Sequence, residues 1–229
     1  MSFDSFRVTP KTGEPRFDRL AEPCSLDFRE SINSANQMVL PSLRIQWLSD
    51  EKGYGLIATE FVPKGTITYC QDSLDIVIPQ GDISKYSGVL RDSIYKFAYE
   101  PPTGEMVLGW DHAKYINHCC LANTLSTGYE FEIAVRDIEV GEELTTDYRL
   151  FSKHNTFHVV CRNEHCPQSA MDALPLKDID ARIQSALSSY SSVEQPLGFL
   201  VATDTLEKLN AYLNDSGEYI SVEEELPKT

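Results

Sequence analysis

The sequence predicts a mainly β protein with a helical extension, an α+β fold of several small sheets. Short β-rich runs separated by turn residues fill the stretch from Leu43 to Tyr148. After Pro175 the apolar residues change to helical spacing. Before Leu43 they keep no sustained period. The expected organisation is therefore an arm over residues 1–42, a β domain over 43–168 and a helical extension over 169–229.

Taken in order, the arm mixes Pro, Arg and Asp with scattered apolar positions and is expected to hold one short helix over residues 28–38. Residues 43–47, 55–59, 66–69 and 74–78 read as strands. The polar stretch 81–93 has room for a helical turn. Tyr95-Lys96-Phe97-Ala98-Tyr99 alternates as a strand does, and Pro101-Pro102-Thr103-Gly104 turns the chain so that Met106-Val107-Leu108-Gly109 returns beside it. Residues 129–135 alternate again, and 137–142 form a tight connection into a last strand. In the extension Ile179, Ile183, Ala186, Leu187 and Tyr190 share one helical face behind an Asp178 cap. A second helix carries Leu206, Leu209 and Leu213 behind Asp204, with Glu207 three residues on. Residues 222–229 are expected to fray, and no internal repeat occurs.

At 229 residues the chain can bury a real core, and 41% hydrophobic residues describe an ordinary globular protein. The net charge of −15 repels phosphate backbones and no Lys/Arg stripe offsets it, which argues against direct nucleic-acid binding and suits basic partners. The longest apolar runs are too short to span a bilayer. Met1 to Arg7 has neither the basic start nor the apolar stretch of a secretory signal, so the expected location is intracellular, with nucleus and cytoplasm not distinguished. In a reducing compartment Cys24, Cys70, Cys119, Cys120, Cys161 and Cys166 read as metal or packing residues rather than disulfides.

Three separated stretches carry chemistry. Lys52-Gly53-Tyr54-Gly55 stands beside a strand, and its glycines let a ligand approach the backbone; alone, such a pattern is more often a plain turn. Tyr115-Ile116-Asn117-His118-Cys119-Cys120-Leu121-Ala122-Asn123 sets an amide, an imidazole and two thiols in succession, although His118 alone is more often a structural histidine and either thiol a small buried hydrophobe. Gly141-Glu142-Glu143-Leu144-Thr145-Thr146-Asp147-Tyr148 is a turn and a strand ending on a tyrosine that a core would also accept.

In this order and at these separations the three stretches resemble the SET-domain family of protein lysine methyltransferases, over residues 43–166. The resemblance implies a SET-like fold of several small β-sheets around a pseudoknot, with the third motif threaded beneath the loop of the second and a post-SET segment ending near residue 168. It implies S-adenosylmethionine as cofactor, with Lys52, Gly53, Tyr54 and Gly55 at its methionine and ribose end, Asn117 and His118 at the adenine, and Tyr95 and Lys114 as further contacts. Tyr148 is the implied catalytic residue, holding the amine and the transferring methyl. Phe97, Tyr99, Thr146 and Phe151 are the implied substrate channel, its aromatic members also readable as core. The implied substrate is a lysine-bearing, basic protein.

The sequence departs from the family pattern at informative places. Thr146 stands where many members carry Phe or Tyr, which leaves the number of methyl groups open. The closing cysteine cluster keeps Cys161 and Cys166 but has Val159 in place of its first cysteine. Zinc would then have Cys120, Cys161 and Cys166 and need a fourth ligand from His158 or His165; a metal-free lid is the alternative. Methylation of a small-molecule amine and a non-catalytic interaction module are the competing functional readings.

Overall fold

The computed structural model describes residues 39–100, 104–150 and 175–225. The expectations for the arm helix, Phe151, Cys161, Cys166, His158 and His165 fall outside the described residues.

The short β-rich runs form three small sheets. β1 (Leu43–Ser49) and β2 (Gly53–Ala58) make an antiparallel hairpin with Leu43 opposite Ala58 and Ser49 opposite Gly53. β10 (Glu143–Thr146) pairs antiparallel with β2 through Glu143 and Leu144, then parallel with β7 (Asn117–His118) through Thr145 and Thr146. The sheet order is β1-β2-β10-β7, so the second and third sequence motifs lie side by side although distant in the chain. β3 (Ile67–Cys70), β9 (Phe131–Ala134) and β8 (Thr124–Ser126) form the second sheet with β9 central. β4 (Ile76–Ile78), β6 (Met106–Leu108) and β5 (Ala98–Tyr99) form the third with β6 central.

Two elements differ from the sequence expectation. Tyr95, Lys96 and Phe97 are not strand but the last turn of helix α1 (Gly88–Phe97), and the strand starts only at Ala98. The buried positions Ile94 and Ala98 are four apart and close a small core with Ile78, so a helical spacing overrides the alternation of Tyr95, Phe97 and Tyr99. The caps also differ: α2 (Leu176–Leu187) starts behind Pro175 and α3 (Thr203–Leu213) behind Ala202, neither with a side-chain cap bond. Asp178 and Asp204 sit inside the first turns, where a carboxylate is favoured by the helix dipole without capping.

The extension shares one core with the sheets. Ile179, Ile183, Ala186 and Leu187 of α2 share one core with Leu125 and Ile133, and all four residues of β9 are buried. Polar clasps fix its register. Arg182 Nη2 donates to the Ala122 carbonyl at 2.6 Å, and Gln195 donates to the Gly65 carbonyl at 2.8 Å while accepting from Ile67 N at 2.9 Å. Asp180 accepts from Tyr219 Oη, Ser221 Oγ and Val222 N at 2.7, 2.6 and 3.1 Å. The start of the segment expected to fray is thus held: Val222 is in the core and opens α4 (Val222–Glu225). Among the described residues no helix is long and apolar enough to cross a membrane.

Because Ile183 is fully buried between α2 and the sheets, Ile183→Ala is expected to cost about 2–5 kcal/mol in urea unfolding. A smaller loss, within about 0.5 kcal/mol, would mean that the extension does not stabilise the β core.

Candidate active site

The first motif is shaped by its two glycines for different reasons. Gly53 turns the chain into β2 at φ 73°, in the left-handed region. Gly55 makes room: a Cβ there would stand 2.4 Å from Leu48 Cδ1, 2.9 Å from Asn117 Nδ2 and 3.0 Å from Glu143 Oε1. The close approach at Gly55 lets the three motifs converge. Asn117 Nδ2 donates to the Tyr54 carbonyl at 3.0 Å and to Glu143 Oε1 at 2.9 Å, and Glu143 Oε2 takes Lys52 Nζ at 2.6 Å.

Asn123 ties the second motif over the third. Its Oδ1 accepts Thr145 N at 2.8 Å and its Nδ2 donates to the Glu143 carbonyl at 2.8 Å, so one side chain replaces a strand neighbour on the backbone of β10. Beneath it, His118 Nδ1 accepts Tyr148 N at 3.1 Å, and Nε2 is 3.3 Å from Cys120 Sγ. Acceptance at Nδ1 requires the neutral tautomer protonated at Nε2, and burial, which lowers the His118 pKa, favours that neutral form. Asp147, almost fully buried, is held instead by a two-pronged pair with the Arg149 guanidinium.

The third motif delivers Tyr148 to a cavity of about 90 Å³. Its hydroxyl donates to the Ile116 carbonyl at 2.6 Å, and burial raises its pKa, so it stays protonated. Phe97, Tyr99, Thr146 and Lys114 line the same cavity with Tyr148. Lys52, Gly53, Tyr54, Gly55, Asn117 and His118 form the converged cluster beside it, and the rings of Tyr54, Tyr115 and Phe97 lead edge to face from one to the other at 5.8 and 5.7 Å. Tyr95 does not join them: it is 54% exposed on α1 and is absent from the cavity wall. Cys120 is partly exposed beside His118, and among the described residues no three metal-ligating side chains assemble.

Among the cavity residues that sequence reading missed are Tyr69 and Glu132. Tyr69 Oη bonds Asp75 Oδ2 at 3.2 Å. Glu132 is 3% exposed in the middle of β9, and burial pushes its pKa up to about 7. An alternating strand gave it the look of a solvent-facing residue, and no local signal separates the two cases.

Residues 53–149 match the SET domain family. The chain carries a SET domain. A stretch of 64 residues, 25% of the chain, is 34% identical to histone-lysine N-methyltransferase set1 of Dictyostelium discoideum, and it spans 4% of that relative's length. The three small sheets agree with a SET-like fold, and the β7–β10 pairing under the Asn123 clasp brings its second and third motifs together.

Two outcomes test this geometry. Asn123→Ala leaves the Thr145 N–H without its partner and is expected to cost about 1–3 kcal/mol in denaturant unfolding. Glu132 has a folded pKa of about 7 against an ordinary 4.5. Its stability contribution is therefore complete below the lower value and lost as pH rises through the upper. Glu132→Gln should flatten that decline in melting temperature; an unchanged slope would show that Glu132 does not titrate in this window.

Proposed function

We propose that this SET domain is an S-adenosylmethionine-dependent N-methyltransferase acting on a lysine side chain of a protein. The observation that supports it most is the meeting of Tyr148, Thr146, Phe97 and Tyr99 around one small cavity beside the converged motifs. A cavity of about 90 Å³ suits a chain-like group, since pockets for whole drug-sized ligands run to about 300–1,000 Å³.

The cofactor's chemistry fits the residues beside that cavity. The Glu143 carboxylate would hold an ammonium, Lys114 a carboxylate and Asn117 with His118 the adenine, and the backbone over Gly53, where a Cβ would meet nothing within 4 Å, has open space for a ligand. Lys52, Tyr54 and Gly55 complete the proposed cofactor-binding set, with Tyr95 its outlying member. Bound there, S-adenosylmethionine would supply a sulfonium methyl for in-line displacement.

The chain's own residues supply alignment. The hydrogen bond to the Ile116 carbonyl fixes Tyr148 Oη in the cavity wall, where it would meet and orient an entering amine. Phe97 and Tyr99 give an aromatic wall that tolerates a cationic amine. Burial beside them lowers the pKa of an entering ammonium, which favours the nucleophilic free amine. Strand β5, which carries Tyr99, stands at the edge of its sheet, where a bound peptide would pair as an added strand. That edge favours a protein over a small amine. The acidic net charge of −15 suits a basic partner.

Tyr148→Phe is expected to lower methyl transfer to a lysine peptide by about 10²-fold or more, while calorimetric titration with S-adenosylmethionine stays as in wild type. Unchanged turnover would remove Tyr148 from the mechanism. A folded wild-type sample that binds neither S-adenosylmethionine nor its demethylated product would favour an interaction module.

A further inference from the structure

Glu132 is the least expected residue of the cavity. It belongs to the central strand of the β3-β9-β8 sheet, is 3% exposed, and lines the same wall as Tyr148 and Thr146. Among the described residues no lysine or arginine nitrogen lies within ion-pairing distance of it. Lys96 and Lys114 line the cavity but do not reach its carboxylate. A buried carboxylate without a cation is costly, and such groups normally acquire a partner or stay neutral.

Its hydrogen bonds suit both charge states. As a carboxylate it accepts Thr124 Oγ1 at 2.8 Å on Oε2 and Thr146 Oγ1 at 3.2 Å on Oε1. Two of about four acceptor sites are then used, and the rest are open to a further donor. Thr124 Oγ1 also lies 3.2 Å from the Thr145 carbonyl. When Glu132 is protonated it can therefore donate to Thr124, whose hydroxyl turns to that carbonyl, and no buried polar atom loses its bond. The tyrosines whose ionisation Glu132 opposes are Tyr69, Tyr99 and Tyr148; burial raises the pKa of each, so they are neutral neighbours.

We propose that Glu132 is the cation-binding carboxylate of this cavity, which pairs with the substrate's ammonium and takes its proton. The inference rests on the methyltransferase reading for the identity of that substrate. In the step an ammonium N–H bond breaks, its electron pair stays on nitrogen, and the proton passes to a Glu132 carboxylate oxygen. The products are a neutral amine and a neutral carboxylic acid. Thr146 lines the cavity beside Glu132 and supplies one of its donors. Because Glu132 would touch the reacting amine, it would be a catalytic residue and not a positioning one.

The test uses n-butylammonium as probe and 1-butanol as its uncharged counterpart, with binding followed by NMR on the full chain. Wild type should bind n-butylammonium about tenfold more tightly near pH 8 than near pH 5.5, as the carboxylate ionises. Glu132→Gln should lose about tenfold at the higher pH together with the pH dependence, and bind 1-butanol as before. Equal affinity and an equal pH profile in the variant would overturn the proposal. A measurement on wild type alone guards against a misfolded variant: in a carbon-13 carboxyl titration, n-butylammonium should lower the apparent pKa of Glu132, and an unmoved value would overturn the proposal equally. Both readouts are independent of methyl transfer. A wild type that binds n-butylammonium in this way but not S-adenosylmethionine would sink the methyltransferase reading and keep the cation site.

Discussion

The clasp of Asn123 on the backbone of β10 is the constraint on which the rest of the site depends. Its amide supplies both an acceptor for Thr145 N and a donor for the Glu143 carbonyl. The last strand can therefore run between β2 and β7, antiparallel to one and parallel to the other. Parallel pairing of two-residue β7 would add little by itself, since short parallel ladders are weak. With the clasp in place, Tyr148 emerges where its N–H meets His118 and its hydroxyl meets the Ile116 carbonyl. One amide thus helps to set the position of Tyr148 in the cavity wall.

Around this knot the buried polar groups satisfy one another in a closed set. His118 is held neutral by accepting a backbone N–H, and Asp147 is neutralised by Arg149. The Lys52, Glu143 and Asn117 chain links the first motif to the other two across the gap that Gly55 leaves open. Such networks are stabilising only when every member is paired. Glu132 stands outside that set: among the described residues it has no ion-pair partner, and it lines the cavity. The helical extension shares a core with the second sheet, and none of its described residues lines that cavity.

Much of the site was legible because its motifs require particular residue types at fixed spacing. Gly53 and Gly55 answer a left-handed turn and a close approach, and Asn117, Asn123 and Tyr148 answer named backbone groups. Tyr95 was misread because alternation over five residues cannot be told from one face of a helix when the flanking buried positions, Ile94 and Ala98, are not weighed. The aspartate caps were misplaced because an acidic residue in the first turn carries the same sequence signature as a cap.

The sequence by itself determined the mainly β character, the helical extension with its apolar face, and the family resemblance, since these follow from periodicity and from residue types that backbone geometry demands. Only the tertiary structure decided that Phe97, Tyr99, Thr146 and Tyr148 share one cavity, that Tyr95 stands apart on a helix, and that Glu132 is turned inward. The physical reason lies in β9. A strand's alternation gives two faces but does not say what covers them, and here α2 packs with β9 while the cavity carries Glu132 in its wall. Which face becomes core and which becomes site is fixed by contacts between residues far apart in the chain.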